Sequence, residues 1–252
     1  MAYRSFKLPH FHPVGATFSI LLCVADAVPT PLVRKLNDER KSALSQINKN
    51  RSEGWEKRLI AEQIKFDKRF DQLLHRYATQ SHPFADPKAA QIMVDRLKAF
   101  DGDLYDLYSY SVLSNHVHAE LDLSIQLPAG YRPGARVDSY VPLDKVVQRI
   151  KGGSAFHLNR YFGKTGTTLW PRRYRDRFIR GEKHLRFACR YTRNNPVAAG
   201  LVTSTEEHPF TGGMSEEEIA KRQERRIYPN PGEWYDKLRE YDNRKPLRLT
   251  DF

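Results

Sequence analysis

The residues best equipped for chemistry in this 252-residue chain lie at 114–121, SNHVHAEL, where His116 and His118 stand one residue apart. Side chains alternate along a strand, so His116, His118, Glu120 and Asp122 would share one face, and Val117, Ala119, Leu121 and Leu123 the other. The apolar face builds a core. The polar face has two readings: it is bathed in solvent, or its imidazoles converge with a carboxylate or amide oxygen to hold a divalent cation. Mixed nitrogen and oxygen donors suit Mn, Zn or Mg. A structural zinc site is disfavoured, because the only cysteines, Cys23 and Cys189, form no Cys-x-x-Cys pair. Gly163-Lys164-Thr165 imitates the end of a phosphate-binding loop, but the earlier glycine that such a loop needs is Leu158.

Charge points to a polyanionic partner. The chain carries 42 Lys+Arg against 30 Asp+Glu, a net +12, which favours nucleic acid first and acidic membrane surfaces second. From Asp144 to Arg193 there are fourteen basic residues and three acidic ones. A solvated basic face is one reading of that run. Interleaved Phe156, Tyr161, Phe162, Trp170, Tyr174 and Phe178 favour another, a surface that grips phosphates and stacks bases. Its candidate contacts are Lys151, Arg160, Arg172, Arg173, Arg175, Arg177, Arg180, Trp170 and Tyr174. Two cysteines are too few for a disulfide framework, and MAYRSFKLPHFHPVG lacks the apolar region of a signal peptide, so a reducing cytoplasm is expected. The longest apolar run, FSILLCVA, falls short of the ~20 residues that span a bilayer.

The elements that must position these groups follow from local patterns along the chain. Thr17 to Ala25 is short, apolar and bounded by Gly15 and Pro29, as a buried strand would be. Leu32 to Tyr77 turns helical, with one stripe of Leu32, Leu36, Ala43, Leu44 and Ile47. A second stripe of Trp55, Leu59, Phe66, Phe70, Leu73 and Tyr77 follows a break near Gly54. Asp86 as N-cap and Pro87 at the first position open a third helix that stops near Asp101-Gly102. Tyr105 to Leu123 alternates as two antiparallel strands broken at Ser114-Asn115. Pro142 opens a helix that Gly152-Gly153 punctuates, with Ser154 capping its continuation. A strand is expected from Tyr174 to Arg180, then a helix from Glu182 closed by Asn195-Pro196. Ser215 with Glu218 forms a capping-box start, and a segment around Trp234 and Leu238 follows.

These residues resemble the REP-associated tyrosine transposases, within the single-tyrosine HUH transposases. That family carries a strand motif close to M-P-N-H-V-H-L-L-V, matched here by Leu113 to Leu121. It then has a lysine-bearing helix, a segment like W-q-r-r-y-y-D-r-x-I-R, and a helix ending Y-I-x-x-N-P-V-K-A-G-L-V. This chain has IKGGSAFHLN at 150–159, WPRRYRDRFIR at 170–180 and YTRNNPVAAGLV at 191–202, in that order, so the resemblance spans roughly 88–202.

The resemblance implies an α+β fold, a ferredoxin-like antiparallel sheet with packed helices. Residues 1–30 would supply an N-terminal arm and first core strand, 31–85 a helical insertion, 86–205 the catalytic core and 206–252 a charged appendage. It also implies a metal-dependent endonuclease and strand transferase for single-stranded or hairpin DNA. Tyr191 would be the nucleophile, forming a 5′-phosphotyrosine; His116, His118 and Asn195 would hold Mg²⁺ or Mn²⁺. Spacing agrees: Tyr191 and Asn195 are four apart and share a helical face. Glu120, where the family has an aliphatic residue, competes as third ligand, and Tyr174 is the alternative nucleophile. Ser114 and Ala198 also depart from the pattern, replacing a proline and a basic residue. The insertion and tail would add DNA-binding or homodimer surface. Two other functions stay open: a domesticated hairpin-binding protein that no longer cuts, and a replication or conjugation nickase.

Overall fold

The computed structural model describes residues 12–50, 54–80, 82–132, 135–179 and 181–224. The segment around Trp234 and Leu238 and the side chain of Arg180 lie outside the described residues. Five strands form one antiparallel sheet: β1 (Thr17–Cys23), β2 (Asp106–Val112), β3 (His116–Asp122), β4 (Arg175–Phe178) and β5 (Thr211–Gly213). Their order is β4-β1-β3-β2-β5. Among the described residues there are seven α-helices: α1 (Thr30–Lys49), α2 (Trp55–Tyr77), α3 (Pro87–Lys98), α4 (Leu143–Tyr161), α5 (Glu182–Arg193), α6 (Asn195–Ala198) and α7 (Glu216–Gln223). Strands β1 to β4 with their helical crossovers make the expected ferredoxin-like α+β fold, and β5 adds a fifth strand beside β2. No helix among the described residues is long and apolar enough to cross a membrane.

The period-2 pattern of β3 decides the layers. Val117, Ala119 and Leu121 face one way, and join Phe18, Ile20 and Leu22 of β1 and Met93, Leu97, Val146, Val147 and Ile150 of α3 and α4 in the main core. The α1–α2 pair packs onto that core through Leu36, Phe66, Phe70 and Leu74. The opposite, polar face of β3 is covered by α5, whose Leu185, Ala188 and Cys189 form a smaller core with Tyr108, Ile179, Met214 and Ile219.

Local signals explain most boundaries. Asp86 accepts from the amides of Lys88 (2.8 Å) and Ala89 (3.0 Å), fixing the start of α3. Ser215 and Glu218 complete the capping box of α7. Gly152-Gly153 does not interrupt α4, contrary to expectation: a Cβ on Gly153 would lie 2.1 Å from Arg96 Nε, so this glycine admits a side chain from α3. Ser154 accordingly caps nothing. Its hydroxyl donates to Lys151 O (3.1 Å) and accepts from Trp170 Nε1 (2.9 Å).

A bulge in β2 sets the edge of the sheet. Leu107 pairs with Leu121 and Ser109 with Glu120, which leaves Tyr108 as the extra residue and sends its ring into the smaller core. The edge strand β5 fits against this bulge only through Gly213, at φ 140°, where a Cβ would fall 2.3 Å from Tyr108 O. Gly213→Ala should therefore lower unfolding free energy by about 1–3 kcal/mol and speed hydrogen exchange at the β2 amides. An unchanged denaturation midpoint with unchanged exchange would sink this account of β5.

Candidate active site

Every residue of β3 is buried, so the polar face is an interior surface and the solvent-facing reading of the His-x-His strand fails. The cause is α5, lying across it. A buried polar group needs a partner, and both carboxyls find theirs within the protein. The carboxyl of Asp122 accepts from Tyr108 Oη and from the Ser124 amide (3.1 Å). That of Glu120 accepts from Ser19 (3.1 Å), Thr192 (2.9 Å) and Ser109 hydroxyls. Burial nevertheless pushes the Glu120 carboxyl up to about 7, the three hydroxyls opposing it. Glu120 thus sits on the histidine face as expected, with its oxygens engaged by hydroxyls.

The histidines occupy the other end of the same buried row. Asn115 fixes the form of His116. Its amide nitrogen donates to Ala27 O (3.1 Å) and Leu74 O (3.0 Å), so its Oδ1 is free to accept, and it lies 2.7 Å from His116 Nδ1. Nδ1 therefore carries the proton, and the Nε2 of neutral His116 presents a lone pair to Asn195 Oδ1 at 3.1 Å. Burial, reinforced by His118, holds His116 well below the usual imidazole range, and burial pulls His118 down to about 4. Both are therefore held as neutral imidazoles. The His118 ring meets the His116 ring edge-on at 5.1 Å, and its Nε2 is buried without a hydrogen-bond partner.

Asn195 begins α6, fully buried, where the chain resumes after the single non-helical residue Asn194. Its amide nitrogen is also buried without a partner. His75 Nε2 from α2 lies 3.1 Å from the same Oδ1 and its ring is stacked on His116 at 6.1 Å. No group of three or more His, Cys, Asp or Glu side chains among the described residues is arranged to hold a metal ion, so a cation here requires the amide oxygen. The residues fit that demand: two neutral imidazoles, one with an unpartnered buried nitrogen, beside an acceptor oxygen turned toward them.

Tyr191, on α5, completes the cluster. Its ring meets His118 edge-on at 5.8 Å and stacks on Phe187 at 6.3 Å, leaving it 36% exposed. The phenol donates to Asp71 Oδ2 of α2 at 2.6 Å. Burial, then the charge of Asp71 and the hydrogen bond to it, raise its pKa above the ordinary phenol value, while Asn195 and Arg177 oppose them. Tyr174 instead packs against the main core at the start of β4. Burial, then Asp176 and Asp144, raise its pKa.

The basic segment is less uniformly exposed than its composition implies. Trp170, expected to stack on bases, is 7% exposed and packs on Phe84, so it is a core residue. Lys151 Nζ donates to Pro171 O (2.6 Å) and Arg172 O (3.3 Å), which fixes the loop bearing Arg172 and Arg173. Arg175 lies over Phe70 (3.7 Å) and Phe66 (4.7 Å) and pairs with Asp67, as does Arg177. Arg160, Arg172 and Arg173 point to solvent, as do the unpaired faces of Phe156 (63% exposed) and Phe187 (59%). Sequence reading missed Asp71, His75 and Asn115. Asn115 had a signal, standing inside the histidine motif; Asp71 and His75 are ordinary polar positions on an amphipathic helix.

No family model and no curated protein matches the chain. Among solved structures it is similar to a REP-associated tyrosine transposase bound to a REP hairpin, with 14% identity, 81% of each chain covered and a TM-score of 0.42. At that distance no residue role or activity passes from one to the other.

Two expectations follow for the buried face. Because the folded state raises the Glu120 carboxyl from 4.5 to about 7, Glu120 costs increasing stability as pH rises through that window. Glu120→Gln should stabilise the protein at pH 8 by up to about 3 kcal/mol more than at pH 4.5; equal effects at both pH values would contradict a buried, proton-favouring carboxyl. Asn115→Ala removes the donor to two carbonyls and the acceptor of His116, and should cost about 2–4 kcal/mol in a denaturant titration. A loss within ±0.5 kcal/mol would count against Asn115 as the orienting group.

Proposed function

We propose that the chain is a metal-dependent endonuclease and strand transferase for single-stranded or hairpin DNA, of the single-tyrosine HUH type. One observation carries the reading. Tyr191 and Asn195, more than seventy residues beyond the histidines, meet His118 and His116 in one cluster, at a 5.8 Å ring contact and a 3.1 Å polar contact. A tyrosine edge contact and a buried asparagine at a helix start would each be unremarkable alone. Their coincidence with two neutral imidazoles, in the order of motifs that the family has, is what supports a reaction centre.

In this reading His116 Nε2, His118 Nε2 and Asn195 Oδ1 hold Mg²⁺ or Mn²⁺, which when bound polarises a phosphate and offsets charge that builds on its oxygens. Asn115 keeps His116 in the tautomer whose lone pair faces the site. Tyr191 Oη attacks the phosphorus of a backbone phosphodiester, and the 3′ oxygen leaves. The product is a 5′-phosphotyrosine and a free 3′-hydroxyl. Because the covalent bond replaces the one broken, a second 3′-hydroxyl can later displace Tyr191 and rejoin the strand. The α5 helix suits the role: its inward side is locked by Leu185, Ala188, Cys189 and Thr192, while Tyr191 faces the opening.

Exposed Arg160, Arg172 and Arg173, with Phe156 and Phe187 as stacking surfaces, are the residues best available to hold the nucleic acid. Membrane association has no counterpart in this reading, and a cytoplasmic setting accords with the two free thiols.

The test is direct. The protein is incubated with a pool of single-stranded oligonucleotides bearing short hairpins, with Mn²⁺ or Mg²⁺, and covalent adducts are separated under denaturing conditions. An adduct is expected that chelator and Tyr191→Phe each abolish and that His118→Ala reduces at least ~100-fold. An adduct persisting in Tyr191→Phe would move the nucleophile elsewhere, and tight hairpin binding with no adduct under any cation would make the chain a binder.

A further inference from the structure

The reading of Tyr191 as nucleophile leaves its proton without a destination. The histidines are poor acceptors, since their lone pairs are the ones assigned to the cation. Glu120 is engaged by three hydroxyls. Among the described residues, the carboxylate in contact with the phenol oxygen is that of Asp71, whose Oδ2 lies 2.6 Å away on α2 and can take the proton. This helix belongs to the stretch between β1 and α3, outside the motifs that carry the resemblance.

We propose that Asp71 is the general base that removes the Tyr191 proton as the phenol attacks, and the acid that returns it when the phosphotyrosine is resolved. The proposal rests on the nuclease reading of the site. As the bond from Tyr191 Oη to phosphorus forms and the bond from phosphorus to the 3′ oxygen breaks, the phenol proton passes to the Asp71 carboxylate, and the 3′ oxygen takes a proton from water. In the reverse direction the incoming 3′-hydroxyl gives its proton to water, and protonated Asp71 supplies the departing phenolate oxygen. Charge and protons balance in both.

Three observations fit a base better than a mere tether. The contact is a single charge-assisted bond at 2.6 Å between a hydroxyl and a carboxylate oxygen. The phenol proton already lies in that bond to Asp71 and must leave as Tyr191 Oη attacks, when a positioned acceptor is of most use. The position of α2 is also fixed independently of the tyrosine. Leu74 O accepts from Asn115 (3.0 Å), His75 reaches Asn195 (3.1 Å), and Phe70 and Leu74 are buried in the main core. Asp71 therefore sits on a rigid support one turn before His75. Arg175, held over Phe66 and Phe70, lies within electrostatic reach of that carboxylate.

The experiment measures single-turnover adduct formation on the hairpin pool with Mn²⁺ for the unsubstituted chain, Asp71→Asn, Asp71→Glu and Tyr191→Phe. Asp71→Asn keeps the shape and a hydrogen-bonding partner but takes no proton, so the adduct rate should fall about 10²–10⁴-fold. Hairpin affinity should stay within about twofold, and Asp71→Glu should recover part of the rate. An oligonucleotide with sulfur at the bridging 3′ position locates the proton, because a thiolate leaves unprotonated. Asp71→Asn should remain as slow on that substrate. Full rate in Asp71→Asn, a faster rate as expected of a restraint released, or recovery on the sulfur substrate would each overturn the proposal. Absence of any adduct from the unsubstituted chain would overturn the nuclease reading itself, an outcome separate from an adduct that forms and ignores Asp71.

Discussion

Burial of the polar face of β3 is the constraint on which the rest of the structure depends. Two imidazoles and two carboxyls lie in one row on a strand that is wholly buried, and leaving such groups unpaired costs several kcal/mol apiece. Their solutions account for much of the surrounding sequence. Serine at 19 and 109 and threonine at 192 supply hydroxyls to Glu120 from three elements. The bulge that frees Tyr108 brings its hydroxyl to Asp122. Helix α5, which seals the face, is held by a core of its own that includes Met214 and Ile219 from the chain after β5. A feature that reads as chemistry in one strand is thus paid for by residues scattered over two hundred positions.

The α1–α2 pair is more than an accessory. Four of its polar contacts converge on the histidine end of the sheet: Ser114 donates to Ala78 O just beyond α2, Asn115 to Leu74 O, His75 meets Asn195, and Asp71 accepts from Tyr191. Hydrophobic anchoring by Phe66, Phe70 and Leu74 places these groups, since a helix packed on the main core has little freedom to slide. The serine that stands where the resembling family has proline has a physical use here. Its hydroxyl ties the turn between β2 and β3 to the end of α2, a bond proline lacks the group to make.

How much was legible followed the range of the interactions. Strands and helices were written locally: the alternation of β3, the Asp86-Pro87 start of α3 and the Ser215/Glu218 box each depend on residues a few positions apart. The Gly152-Gly153 pair misled because its signal is ambiguous. Glycine that breaks a helix and glycine that admits Arg96 look alike without the partner helix. Trp170 misled in the same way, an aromatic among arginines whose indole is in fact bonded to Ser154 inside the core. Strand β5 was missed because three residues rich in glycine carry no periodicity; its pairing comes from the shape of the β2 bulge. At the site, the histidines and the Tyr-x-x-x-Asn spacing were visible as patterns, whereas Asp71 and His75 became distinctive only when tertiary packing set them against Tyr191 and Asn195.

Two of the buried atoms without a hydrogen-bond partner, on His118 and Asn195, lie side by side in a telling place. Of the four polar side chains on the face of β3, the two carboxyls are saturated and the imidazoles are not: His118 Nε2 lacks a partner, and the His116 lone pair faces an oxygen, while Asn195 Nδ2 is stranded beside them. Each such group costs about 1–3 kcal/mol. A single well-placed hydroxyl would relieve this, as three of them already do for Glu120. Instead Asn115 spends its own oxygen on locking His116 into the tautomer that worsens the mismatch. A structure optimised only to stay folded would turn that ring or replace it. Acceptors held against an acceptor within a few ångströms of an exposed phenol are the atoms that the proposed cation would satisfy, so this residual mismatch is the part of the packing that supports the metal-dependent reading.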